Sequence, residues 1–108
     1  MNNSDCIFCK IVKKEIPSDI FLETDNLIVF PDIHPSAPIH YLIVPKKHFV
    51  NIEDTPEDIW LEIRKTALEI KNKEKHTGFR LANNYGDSAF IQHMHVHYLS
   101  GINKDRTM

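Results

Sequence analysis

The chain has 108 residues, of which 42% are hydrophobic and 26% charged, a balance expected for one folded domain spanning 1–108 rather than for a disordered or fibrous protein. Thirteen basic against fifteen acidic side chains leave a formal charge of −2, without the basic excess that binding to a phosphate backbone requires, so nucleic acid is not expected as a partner. No apolar run approaches the roughly 20 residues of a bilayer span, and MNNSDCIFCK has neither a basic nor an apolar leader segment, so the expected location is cytoplasmic with no membrane partner.

In chain order, Ser4 or Asp5 is placed to cap a short amphipathic helix carrying Ile7, Phe8, Ile11 and Val12, ending before Ile16-Pro17. Asp19 to Glu23 read as extended. Thr24-Asp25-Asn26 suits a turn, and Leu27 to Phe30 is β-branched and aromatic, so the two runs read as a hairpin closed by Pro31. The stretch PDIHPSAPIH, with prolines at 31, 35 and 38, is too punctuated for helix or central strand but stiff enough to hold side chains in fixed places.

His40 to Val44 form a third predicted strand, left through Pro45-Lys46-Lys47-His48. A long helix is expected from Thr55, with Pro56 and Asp58 in its first turn and Ile59, Ile63, Ala67 and Ile70 along one face bordered by Trp60. Lys71, Lys73, Lys75 and His76 complement its C-terminal dipole, and Gly78 is the residue expected to turn left-handed and end it. Phe79 to Asn83 and Met94 to Leu99 supply two further strands, joined by NNYGDSAFIQ. Short turns without βαβ alternation predict an α+β fold: a five-stranded antiparallel sheet with a short N-terminal helix and one longer helix.

The last of these strands carries H93-M-H-V-H97, and a strand's alternation puts His93, His95 and His97 on one side, Met94, Val96 and Tyr98 on the other. Adjacent histidine α-carbons then lie about 6.6 Å apart and the outer pair about 13 Å. Two of them can share a metal ion; all three cannot without a bend, which leaves at least one imidazole free. Neutral imidazole is a nucleophile toward phosphorus near pH 7, a protonated neighbour can stabilise phosphate oxygens, and the Asn83 to Ser88 loop can supply amide and hydroxyl donors. A polar strand edge or a metal site are the competing uses. Cys6 and Cys9 form a C-x-x-C pair, which in a reducing compartment is a metal ligand set or a redox pair. His34 and His76 read as surface residues.

H93-M-H-V-H-Y-L99 resembles the H-φ-H-φ-H-φ-φ signature of the histidine triad family of nucleotide hydrolases and transferases. C6-I-F-C-K-I-V12, E15-I-P17, F30-P-D-I-H-P-S-A-P-I-H40 and L42-I-V-P-K-K-H48 resemble, in the same order, segments of its nucleoside phosphoramidase branch. The resemblance implies a histidine triad fold and cleavage of nucleoside monophosphate derivatives, purine ones foremost, by phosphoramidate or similar conjugate hydrolysis. It implies His95 as the nucleophile, His97 at the phosphate and His40 as a supporting member of the active-site network. It also implies Asp32 at the ribose hydroxyls, Ile33 in the nucleoside pocket, Asn84 near the phosphate, and Ser88 in place of the family's phosphate-loop contacts. Cys6, Cys9, His48 and His93 would hold a structural Zn2+, and two chains would form a homodimer. Two departures stand out: A89-F-I-Q-H93 is about two residues shorter than the family's A-G-Q-x-V-x-H, and the tail after Leu99 lacks the glycine-arginine pattern and a tryptophan. A nucleotide-binding regulatory module and a metal-handling protein remain the alternative functions.

Overall fold

The structure, a computed structural model, describes residues 5–102. Its elements run α1 (Ile7–Val12), β1 (Leu22–Glu23), β2 (Leu27–Pro31), β3 (Ile39–Pro45), α2 (Glu57–Glu74), β4 (Arg80–Ala82) and β5 (Val96–Ser100). The five strands make one sheet in the order β1-β2-β3-β5-β4, antiparallel throughout. This is the sheet and helix count that the turn and periodicity signals predict.

Both faces of the sheet are covered in part, and β2 shows why. All of Leu27, Ile28, Val29 and Phe30 are buried, but they divide by alternation. Leu27 and Val29 join Ile43, Val96, Tyr98 and the α2 residues Ile59, Ile63, Ala67 and Ile70 in one core. Ile28 and Phe30 join Leu42, Val44 and the α1 residues Phe8, Cys9 and Ile11 in the other. Each fully buried aliphatic side chain contributes on the order of 1.5–3 kcal/mol through removal from water. Met94, Val96 and Tyr98 face α2 as the alternation requires, so the histidines between them are turned to the α1 side. α1 covers only part of that side.

Several boundaries differ from expectation. β5 begins at Val96 rather than Met94, so His93 and His95 precede the strand. The cap of α1 is Cys6, whose sulfur accepts the Cys9 N–H at 3.4 Å, and not Asp5; Ser4 lies outside the described residues. Pro56 rather than Thr55 occupies the N-cap of α2, with Thr55 instead donating its hydroxyl to the Asn51 carbonyl at 2.9 Å. The left-handed stop of α2 is Lys75 (φ 58°, ψ 41°), three residues before Gly78, whose φ is not positive. The bond from His76 N–H to the Lys71 carbonyl fixes the turn early. His76 is not a surface residue: its ring lies 2.9 Å from the Tyr98 hydroxyl and 3.2 Å from Glu74, satisfying a phenol that would otherwise be buried without a partner. His34 is exposed as expected. No helix among the described residues is long and apolar enough to cross a membrane.

Glu23 ties three segments together, with Lys14 and Lys46 each 2.8 Å from its carboxylate. The Lys14 contact first, then Lys46, holds its pKa down to about 2 from the usual 4.5. A carboxyl depressed in the folded state stabilises fully above its unfolded pKa and loses that contribution as pH falls toward the folded value. Between pH 5 and pH 2 the melting temperature of the wild type should therefore fall more steeply than that of Glu23→Gln, and added salt should narrow the gap because the pair is exposed. At the other end of the sheet, Lys75→Gly should raise stability by roughly 0.5–1 kcal/mol, since glycine takes a left-handed conformation without a Cβ clash; thermal denaturation reads it directly.

Candidate active site

Two groups of side chains meet on the α1 side of the sheet. The first begins with the C-x-x-C turn itself: three residues of helix bring the sulfurs of Cys6 and Cys9 to one face, where they meet His48, just past β3, and His93, just before β5. Their ligand-type atoms all lie within 4.8 Å of one another. His93 Nδ1 is 3.2 Å from Cys6 Sγ and 3.5 Å from Cys9 Sγ, and His48 Nδ1 is 3.2 Å from Cys9 Sγ. Tetrahedral zinc with bonds near 2.3 Å to sulfur and 2.0–2.1 Å to nitrogen separates such pairs by about 3.6 Å, so the spacing fits that ion. His93 Nε2–H donates to the Pro45 carbonyl at 2.7 Å, which fixes the tautomer with a lone pair on Nδ1, aimed into the cluster. Burial holds the His93 pKa down to about 4, keeping the ring in its ligand form, and burial pushes the Cys9 thiol up to about 11, so ionising it there calls for a cation. His48 Nε2 is buried without a hydrogen-bond partner among the described residues. The donor set suits a closed structural metal site.

The second group is His95, His97, His40 and Asp32. His95 Nδ1–H donates to the His93 carbonyl at 2.8 Å, leaving its Nε2 as the unprotonated nitrogen. Burial lowers its pKa. Its ring stands edge-on to Phe8 at 5.0 Å and to His97 at 5.1 Å between centroids. The neighbouring tautomers follow from one main-chain donor. Ser36 N–H reaches His40 Nδ1 at 3.0 Å, so His40 carries its proton on Nε2 and donates it to His97 Nδ1 at 2.9 Å; His97 in turn must carry its proton on Nε2. Asp32 Oδ2 is 3.4 Å from the same His40 Nε2, while Oδ1 accepts the His34 N–H at 2.8 Å.

Asp32, His40 and His97 also have the spacing of a metal ligand group. The Ser36 amide argues otherwise, because a His40 Nε2 carrying a proton is a donor and not a ligand. Burial, then the nearby His95 and His40, lowers the His97 pKa to about 4. The protonated neighbour expected from the sequence is thus a neutral ring near pH 7, offering a hydrogen bond rather than a charge.

The loop before the histidines is arranged less as expected. Asn84 and Ser88 are exposed, Ser88 in the 3-10 turn Gly86–Ser88, and neither is hydrogen-bonded to the triad. Ile33 is 85% exposed at the open side, one residue beyond Asp32. Asn83 instead reaches inward, its side-chain nitrogen donating to the His95 carbonyl at 2.8 Å. Gln92 folds back to donate to the Gly86 and Ala89 carbonyls at 2.9 and 3.2 Å, closing the short segment on itself. Phe8, Ser36 and Gln92 are contributors that residue-type reasoning did not assign to the site, while Asn83, expected in the loop as an amide donor toward phosphate, donates to a backbone carbonyl instead. Phe8 lies inside the C-x-x-C and was readable as core; Ser36 acts through its backbone, which no side-chain pattern reveals.

Residues 5–107 match the protein family described as "Scavenger mRNA decapping enzyme C-term binding". The chain is 35% identical over 108 residues to the adenosine 5'-monophosphoramidase HNT1 of Candida albicans, covering 91% of this chain and 71% of that one. It superposes with a TM-score of 0.92 on a histidine triad protein from Clostridium difficile, 38% identical, over 100% of both chains. A zinc-bound histidine triad family protein from Mycobacterium smegmatis, 26% identical, gives a TM-score of 0.85 over 99% of this chain and 82% of that one. With the fold, the order of the sequence segments and the triad in agreement, the chain belongs to the histidine triad family.

Proposed function

We propose that this hydrolase-family chain cleaves nucleoside monophosphate derivatives, purine phosphoramidates or related nucleotidyl conjugates, through a nucleotidyl intermediate on His95. The observation that carries the reading is one bond at His95: Nδ1–H held by the His93 carbonyl, which leaves Nε2 unprotonated beside a neutral His97. His95 Nε2 supplies the electron pair that forms the new N–P bond while the bond from phosphorus to the leaving group breaks. The leaving group takes up a proton from solvent at the open side. Positive charge that develops on the His95 ring is met by the His93 carbonyl at Nδ1–H. His97 Nε2–H offers a hydrogen bond to a phosphate oxygen. Water then attacks phosphorus as the N–P bond breaks and gives up a proton to solvent, releasing nucleoside monophosphate and restoring the neutral imidazole.

Asp32 has acceptor capacity beyond its present bonds, since an ionised carboxylate offers about four lone-pair positions, and so suits the two hydroxyls of a ribose. Ile33 would flank the base. Asn84 and Ser88 would approach the phosphate as the loop meets its ligand. Their exposure in this structure is what favours a second reading, a nucleotide-binding regulatory module whose hydrolysis is incidental. A structural zinc in Cys6, Cys9, His48 and His93 supplies a cross-link between α1 and the segment entering β5 when bound. Exposed leucines at 61 and 68 on α2 and 81 on the edge strand β4 support a homodimer.

Incubation of the chain with adenosine phosphoramidate should release adenosine monophosphate, and His95→Ala should lower the turnover by about 10³-fold or more. A rapidly quenched wild-type sample should carry a nucleotidyl mass adduct that the variant lacks; full turnover by the variant, or binding without turnover by the wild type, overturns the enzymatic reading. Cys6→Ala should drop the metal content from about one zinc per chain toward zero and lower the melting temperature by roughly 5–10 °C, as loss of a folding-coupled ligand requires. Elemental analysis with calorimetry measures both.

A further inference from the structure

His95 occupies an unusual place in the backbone. The pairing of β3 with β5 ends at Ile43 opposite Val96, and the pairing of β4 with β5 ends at Ala82 opposite His97. The residue with the free imidazole nitrogen therefore lies beyond the last rung on both sides. Ladder pairing, which fixes a side chain's origin within a sheet, reaches the adjoining Val96 on the β3 side but ends two residues away, at His97, on the β4 side.

Contacts outside the ladder also hold the residue. The ring bonds back to the His93 carbonyl, the Phe8 edge abuts the ring at 5.0 Å, and the amide nitrogen of Asn83 bonds the His95 carbonyl at 2.8 Å. The first two hold the ring relative to its own backbone and to α1. On the β3 side the ladder reaches the adjoining Val96, and on the β4 side the Asn83 side chain bonds the His95 carbonyl. Asn83 is the first residue past the end of β4, where continued pairing would have offered a backbone donor, and its side chain serves as that rung.

We propose that Asn83 is a positioning residue for the reaction: its side-chain amide replaces the missing strand partner and sets the height from which His95 addresses phosphorus. The inference rests on the reading of His95 as nucleophile. Asn84, the neighbour that the family pattern places near the phosphate, is exposed, so the two adjacent asparagines divide between the backbone of the nucleophile and the open loop. An attacking atom displaced by about 1 Å loses on the order of 10²-fold in rate, which is the scale on which such a bond acts. Because the contact is to a carbonyl, a donor is needed, and an acceptor of the same shape cannot substitute.

The test compares Asn83→Leu, Asn83→Asp and Asn83→Gln in the full, zinc-loaded chain with adenosine phosphoramidate as substrate. Asn83→Leu and Asn83→Asp should lower kcat by roughly 10- to 100-fold with KM changed little, and Asn83→Gln, which keeps the donor, should recover part of the loss. Wild-type kcat in Asn83→Leu, or in the isosteric non-donor Asn83→Asp, overturns the proposal. So does a loss carried by KM alone. The nitrogen resonances of the His95 ring give a reading that does not depend on turnover: one sharp set in the wild type, and broadened or doubled signals in Asn83→Leu with the His48 signals unchanged. An unaltered His95 spectrum overturns the proposal even if the wild type cleaves no conjugate, an outcome that would separately sink the proposed function.

Discussion

The bond from His93 Nε2–H to the Pro45 carbonyl is the constraint from which the chemistry of this face follows. It gives the ring one orientation and one tautomer, with Nδ1 turned toward the two sulfurs. Because the ring is pinned, the peptide behind it is pinned too, and that peptide's carbonyl is the acceptor for His95 Nδ1–H. One residue thus serves a metal-type cluster with its side chain and a free imidazole with its backbone. Pro45 is suited to its part: it closes β3 opposite Leu27, its carbonyl lies at the strand end, and it has no N–H to compete.

The two helices contribute unequally. α2 supplies bulk, covering one side of the sheet with four aliphatic residues. α1 has six residues, too few to persist alone in water, and depends on what it packs against. Phe8 wedges it over His93 and His95, the thiols face the cluster, and Lys14, in a left-handed conformation just past its end, reaches Glu23. The shape of the site on the α1 side is therefore a property of a helix that the cluster helps to hold.

Most of this was legible in the chain. The strand alternation of Met94, Val96 and Tyr98 foretold which side the histidines face, and the geometric limit on three histidines sharing one ion is met, since His93 alone of the row joins the sulfurs. The C-x-x-C pair and His48 converge as the resemblance implied. Helix ends were less legible: Lys75 takes the left-handed turn because the Lys71 carbonyl captures His76 N–H there, and backbone bonding of that kind outweighs the presence of a glycine three residues on. Protonation was not legible at all. The charge expected on His97 is suppressed by burial and by the hydrogen bond its Nδ1 accepts from His40, whose tautomer the Ser36 N–H sets, and neither is a feature of residue type.

The three groups that decide where protons sit on this face are the carbonyls of Pro45 and His93 and the N–H of Ser36. All three belong to the peptide link, which every amino acid supplies, except that position 36 must not be proline. The charge pattern of the triad is thereby insulated from drift in side-chain identity at positions 36 and 45. It is exposed instead to changes in path: an insertion or deletion that slid either segment by a single peptide unit would exchange donor for acceptor and invert the tautomers, with every histidine still in place.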